Sequence, residues 1–167
     1  MTVSPVAIID FEASCLPNDG LSYPIEVAIA RVGGGSRSWL IKPAPKWFYW
    51  DWSEDAEALH GISREMLKQK GLPVRQVLHE LAREVAGCRG YADSDLDSYW
   101  LETLAEACEE PLPFPVLFLG ELFREMRTNS NAIEQAEELA LARLPQEHVA
   151  RNDARRLAIT VELLSAA

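Results

Sequence analysis

The chain lacks the cysteines, the basic surplus and the long apolar runs that would place it in several large classes of protein. Its three cysteines, Cys15, Cys88 and Cys108, are odd in number, far apart and without a CxxC pair. That pattern excludes a disulfide framework and a four-cysteine structural zinc site, and buried, reduced thiols are expected. The longest apolar runs, such as Val116–Leu119, fall far short of the roughly 20 residues a membrane helix needs, so no membrane partner is expected. No basic flank precedes the short apolar stretch at the amino terminus, so a secretory signal is not expected and a cytoplasmic location is. Lysine and arginine number 16 against 26 acidic residues, a net charge of −10, which argues against a protein that coats long duplexes by neutralising phosphates. An enzyme that grips a chain end is still allowed, because clustered carboxylates attract divalent cations and those cations in turn attract phosphate.

What the sequence does contain fits one core. A chain of 167 residues buries roughly two thirds of the surface its unfolded form exposes, enough for a single domain over residues 1–167. Hydrophobic residues at 48% and charged residues at 25% are close to the globular average, which excludes disorder and a fibrous repeat.

Val6–Asp10 is an apolar run ending in a carboxylate, read as a buried strand. Ile25–Val32 and Ser36–Ile41 flank Gly33, Gly34 and Gly35 and read as a hairpin. An aromatic knot follows, Trp47, Phe48, Tyr49, Trp50 and Trp52, and then Ser53, suited to cap a short helix toward Leu59. Ser63 with Glu65 and Met66 begins another short helix. Val74, Val77, Leu78, Leu81 and Val85 recur at helical spacing behind Pro73 and predict an amphipathic helix ending at Gly87. Gly90–Ala92 and Val116–Leu119 are the fourth and fifth strand candidates, with a helical pattern of Trp100, Leu101, Leu104 and Cys108 between them. Helices at roughly 132–144 and 152–164 close the chain. The order describes an α/β domain with a mixed sheet.

Chemistry is suggested by acids at three places. Asp10 and Glu12 are two apart on a strand, so both point to one face while Phe11 points to the other, toward the core. His148 and Asp153 lie five apart. On one helix that spacing turns the side chains about 140° apart, so His148 belongs on the loop after Pro145 and Asp153 in the first turn of the last helix, where both can face one pocket. Between these segments Asp97 precedes an apolar helix, with Asp93 and Asp95 as rivals and a helix cap as the plain reading for any of the three. Together the acids suit two divalent cations roughly 4 Å apart, which stabilise the attacking and leaving oxygens at phosphorus. Oxygen ligands favour Mg2+ or Mn2+ over zinc. Histidine is the residue type suited to take a proton from water near neutral pH.

In this order, Asp-x-Glu, Asp and His-x4-Asp, the sequence resembles the DEDDh (DnaQ-like) 3'-5' exonuclease superfamily, with motifs running from VAIIDFEAS to HVARNDARRLA and an HGI segment at His60, Gly61 and Ile62. The resemblance implies a ribonuclease H-like fold: a mixed five-stranded sheet with strands one to three antiparallel, strands four and five parallel to the first, and flanking helices. It implies metal binding by Asp10, Glu12, Asp97 and Asp153, a general base at His148, and contacts to the terminal nucleotide from Phe11, Glu12 and His60. The implied activity is hydrolysis of phosphodiester bonds at a single-stranded RNA or DNA 3' end, with release of nucleoside monophosphates. Where the family often has His-Asn, five and four residues before its central Asp, this chain has Ala92 and Asp93, which keeps Asp93 and Asp95 open as ligands. The aromatic knot fits core or dimer packing, so a homodimer stays open, or alternatively base stacking; Arg151 is the arginine best placed to meet a phosphate. Two other functions compete with this one, a catalytically silent binding or regulatory module of the same fold and a phosphodiesterase for very short oligonucleotides.

Overall fold

The computed structural model describes residues 4–166. Five strands form one sheet in the order β3-β2-β1-β4-β5. They are β1 (Val6–Ala13), β2 (Pro24–Arg31), β3 (Ser36–Leu40), β4 (Arg89–Ala92) and β5 (Leu117–Phe118). β1 to β3 pair antiparallel, and β4 and β5 run parallel to β1. The expected topology is therefore present, with Gly33 at φ +69° making the left-handed turn of the β2–β3 hairpin.

Seven α-helices and one 3-10 turn (Pro45–Trp47) accompany the sheet among the described residues: α1 (Glu54–His60), α2 (Arg64–Lys70), α3 (Val74–Val85), α4 (Asp95–Ala107), α5 (Leu119–Glu125), α6 (Ser130–Arg143) and α7 (Ala150–Ser165). Ser53 and Ser63 cap α1 and α2, their hydroxyls accepting from the N–H groups of Ala56 and Met66. Two cores lie on opposite faces of β1, as alternation along a strand requires. Ile9 and Phe11 pack with Leu78 and Leu81 of α3 and Leu101 and Leu104 of α4. Ile8 packs on the other face with Ala150, Ala154, Ala158 and Val161 of α7. Those alanines recur at helical spacing, and Ala28 and Ala30 answer them from β2. Small residues on both sides let α7 lie close on the sheet, and this close seat carries Asp153 toward the strand that bears Asp10.

Most element boundaries lie within one or two residues of the sequence reading, and the following differences bear on the site or the fold. β1 continues to Ala13. The apolar run at 116–119 is divided, since only Leu117 and Phe118 pair with β4, while Leu119, Leu122 and Phe123 supply the buried face of α5, a helix not expected from the sequence. α7 starts at Ala150, two residues early. Helix α4 is capped by Ser94, whose hydroxyl accepts from the N–H of Leu96, so none of the three nearby aspartates is the cap. Cys15 and Cys108 are buried free thiols as expected, but Cys88 is only partly buried. Among the described residues, no helix is long and apolar enough to cross a membrane.

Candidate active site

Asp10 and Glu12 project from the α7 face of β1, as the period of two requires, and Phe11 turns into the opposite core at 4% exposure. Pairing of β1 with β4 stops at Ile8 opposite Tyr91, which leaves the far half of that edge of β1 open. The carboxylate of Asp97 fills the gap: its Oδ1 accepts from the N–H of Phe11 at 2.8 Å. Asp97 is thereby fixed beside Asp10, and the Phe11 N–H, a candidate for substrate, is already used.

Two sets of three carboxylates form. Oxygens of Asp10, Glu12 and Asp153 lie within 4.8 Å of one another, and so do oxygens of Asp10, Asp93 and Asp97. Asp10 is common to both, and its Oδ2 is buried with no hydrogen-bond partner. A buried oxygen without a donor is costly, and a cation between the carboxylates would relieve it. The four expected acids thus come together, Asp93 joins them, and Asp95 is outside both sets.

The acids are held against their own charge. Burial pushes the Asp10 carboxyl well above the usual range, helped by Asp97 and Glu12. Burial likewise pushes Asp97 up to about 8, despite the stabilising N–H of Phe11, and Glu12 to about 7 with Glu26 adding to the effect. Glu26, the direct partner of Glu12 in the β1–β2 ladder, is 8% exposed and raised to about 7 by burial. Like charges directly opposite destabilise a sheet. The sequence reading missed Glu26, although an acid inside the otherwise apolar run PIEVAIA was the available signal.

His148 sits where expected, exposed on the loop before α7, with φ at +57°. It lines a cavity of about 380 Å3 with Glu12, His60 and Trp100. Arg156 braces that loop, donating to the carbonyls of Leu144 and Gln146, both at 2.7 Å, and ion-pairing with Asp153. One guanidinium therefore ties the loop of His148 to the carboxylate of Asp153, a role the sequence did not disclose because both backbone acceptors precede the helix. Arg151 is also engaged, to the hydroxyl and carbonyl of Ser36, and is not a free phosphate ligand. His60 closes α1 ahead of Gly61 in the left-handed conformation. Its Nδ1 accepts from the N–H of Ile62 at 3.1 Å, while Nε2 is buried without a partner. Burial pushes the imidazole pKa down.

The sheet order, the parallel β1, β4 and β5 and the flanking helices define a ribonuclease H-like fold in the form carried by 3'-exonucleases. No protein-family model matches the chain, and no curated protein matches it. Solved structures do match. One is a 3'-exonuclease in specific 3'-end recognition of a histone mRNA stem-loop, with TM-score 0.70 and 16% identity over 98% of this chain and 64% of that one. A full-length 3'-exonuclease gives TM-score 0.70 and 16% identity over 99% of this chain and 84% of its own. Exonuclease I of E. coli in complex with a dA16 oligonucleotide gives TM-score 0.71 and 14% identity over 98% of this chain and 41% of its own. The chain thus spans less than two thirds of the first and less than half of the last. At such identities the likeness establishes the fold.

Proposed function

We propose that the protein is a metal-dependent 3'-5' exonuclease that removes nucleoside monophosphates from a single-stranded 3' end. The observation that carries the reading is the buried, partnerless Oδ2 of Asp10 at the junction of two carboxylate sets, on a fold shared with 3'-exonucleases. Two divalent cations, Mg2+ or Mn2+, fit this all-oxygen donor set. Asp10, Glu12 and Asp153 would hold one, and Asp10, Asp93 and Asp97 the other. When bound, such cations supply charge stabilisation to the attacking and leaving oxygens of an in-line displacement.

The chain's own groups account for the rest. His148 is the base: it takes a proton from the water that attacks phosphorus, the bond to the upstream 3' oxygen breaks, and that oxygen leaves as a hydroxyl once protonated. Arg156 keeps the His148 loop and Asp153 in register. The cavity beside Glu12 is large enough for a terminal nucleotide, and His60 and Trp100 are on its wall. Its volume of about 380 Å3 is at the small end for ligand sites, which favours reading one end residue at a time.

The test uses 5'-labelled single-stranded RNA and DNA of several lengths with Mn2+ or Mg2+, beside Asp10→Asn and His148→Ala. Stepwise shortening from the 3' end that needs metal, is abolished in Asp10→Asn and falls about 100-fold or more in His148→Ala is expected. Binding without cleavage of any substrate would identify a silent module instead. Cleavage confined to the shortest oligonucleotides would identify a small-substrate phosphodiesterase.

A further inference from the structure

A second cavity, of about 480 Å3, lies away from the carboxylates and is lined by Tyr23, Trp47 and Phe48 together with Lys42, Arg64 and Lys68. In a chain with 26 acidic and 16 basic residues, three cations and no carboxylate around one cavity is a local reversal of the molecule's charge. The contrast within the structure is direct, since another cavity is lined by Glu134, Glu137, Glu138 and Glu147 against one cation, Arg156. None of the three cations forms an ion pair among the described residues.

Their placement is built by the fold. Arg64 and Lys68 are one turn apart on α2 and share a face, an arrangement of like charges that costs helix stability unless an anion answers it. Lys42 follows β3 and is brought alongside by Gly71 at the end of α2. A Cβ on Gly71 would lie 2.6 Å from the backbone nitrogen of Lys42, so only glycine permits the approach. The aromatic side is equally specific. Trp47 is buried and stacked on Tyr23 with centroids 5.4 Å apart, forming the cavity floor, while Phe48 beside it is 66% exposed. A large exposed aromatic on a cavity rim offers a face for another ring.

We infer that this cavity is a second nucleotide site, in which Lys42, Arg64 and Lys68 take phosphate and Phe48 stacks on the base. Cations around a phosphate and an aromatic face against a base are the two elements of single-strand recognition. The cavity is also joined to the first one through side chains. Trp52 meets His60 edge-on at 6.3 Å, Tyr23 lies 6.4 Å from Trp52, and Arg64 sits over the Trp52 ring at 5.2 Å. An upstream nucleotide of a bound strand and a free nucleoside phosphate share the chemistry this cavity would recognise. The inference stands without the exonuclease reading, because it invokes none of the site acids.

Binding to the full chain in EDTA tests it, with adenosine 5'-diphosphate and a 5'-fluorescein single-stranded oligonucleotide as probes. The variants are Lys42→Glu with Lys68→Glu, and Phe48→Ala, all exposed positions, with melting temperature as the control for folding. Both variants are expected to weaken binding, Phe48→Ala by about tenfold, the equivalent of one stacking contact. Loss for both probes supports a site for free nucleoside phosphates, and loss for the oligonucleotide alone supports a subsite for the strand. Unchanged affinity for both probes overturns the inference. So does displacement by pyrophosphate as effective as by nucleotide with no effect of Phe48→Ala, because that describes a generic anion patch.

Discussion

Raising the pH of the metal-free protein is expected to destabilise it, opposite to the usual effect of ionising carboxylates. Glu12 and Glu26 face each other across β1 and β2 and are each raised from 4.5 to about 7. The folded protein therefore retains a proton that the unfolded chain releases above about 4.5, and stability falls as pH rises from there through about 7. Because the two carboxylates face each other and the charge of Glu26 contributes to the shift of Glu12, one shift is counted rather than two. A shift of that size corresponds to on the order of 3 kcal/mol, or roughly 6–12 °C in melting temperature for a domain of this length. Asp97, raised to about 8, and Asp10, raised further by burial and its neighbours, extend the decline toward higher pH. His60 opposes it in part: its lowered pKa means that the unfolded chain binds the extra proton, so its contribution grows with pH. The assay is thermal unfolding in EDTA from pH 5 to 8.5, repeated with Mn2+ and with Glu26→Gln. The melting temperature of the wild type should fall with pH, Glu26→Gln should flatten the slope, and Mn2+ should restore stability most at pH 8. A melting temperature that is level or rising across this range in EDTA, with Glu26→Gln indistinguishable from wild type, would refute the reasoning.

Under the proposed function, the same protons would compete with metal. Mn2+ affinity measured by titration calorimetry is expected to rise between pH 6 and 8, about tenfold per unit for each proton displaced, with proton release detected as a dependence of the heat on buffer ionisation. Arg156→Met removes the brace between Asp153 and the carbonyls of Leu144 and Gln146. Amide exchange over residues 144–149 should accelerate and kcat fall about tenfold or more, with KM little changed, because a misplaced base affects turnover rather than binding.

The elements that carry the site were legible where one physical rule acts alone. The period of two placed Asp10 and Glu12 on one face and Phe11 in the core. Helical spacing located α3, and Pro145 with the five-residue interval put His148 on a loop and Asp153 on the helix that follows. Legibility failed where two rules compete over a short segment. In SDLD the serine and the aspartates are all good caps, and Ser94 holds that position, which frees Asp97 to bond the open edge of β1. The run at 116–119 is apolar in either period, and only pairing with Ala92 and Tyr91 decides where the strand stops and α5 begins. Glu26 and Arg156 escaped because their significance lies in partners across the ladder or before the helix. The aromatic knot divides, with Trp47 in the core and Phe48 and Tyr49 exposed, so its packing and surface expectations each describe different members.

The backbone at His148 adopts φ +57°, a conformation glycine enters freely and a side chain enters at a cost of roughly 1–2 kcal/mol. The protein thus holds its proposed base in a strained pose that stability alone would not select. His148→Gly is expected to melt a few degrees higher than wild type while losing turnover, and imidazole added to the buffer should restore part of that turnover by occupying the vacated space. Such a variant would be better folded and worse at its task, with robustness and reactivity drawing on this one residue in opposite directions.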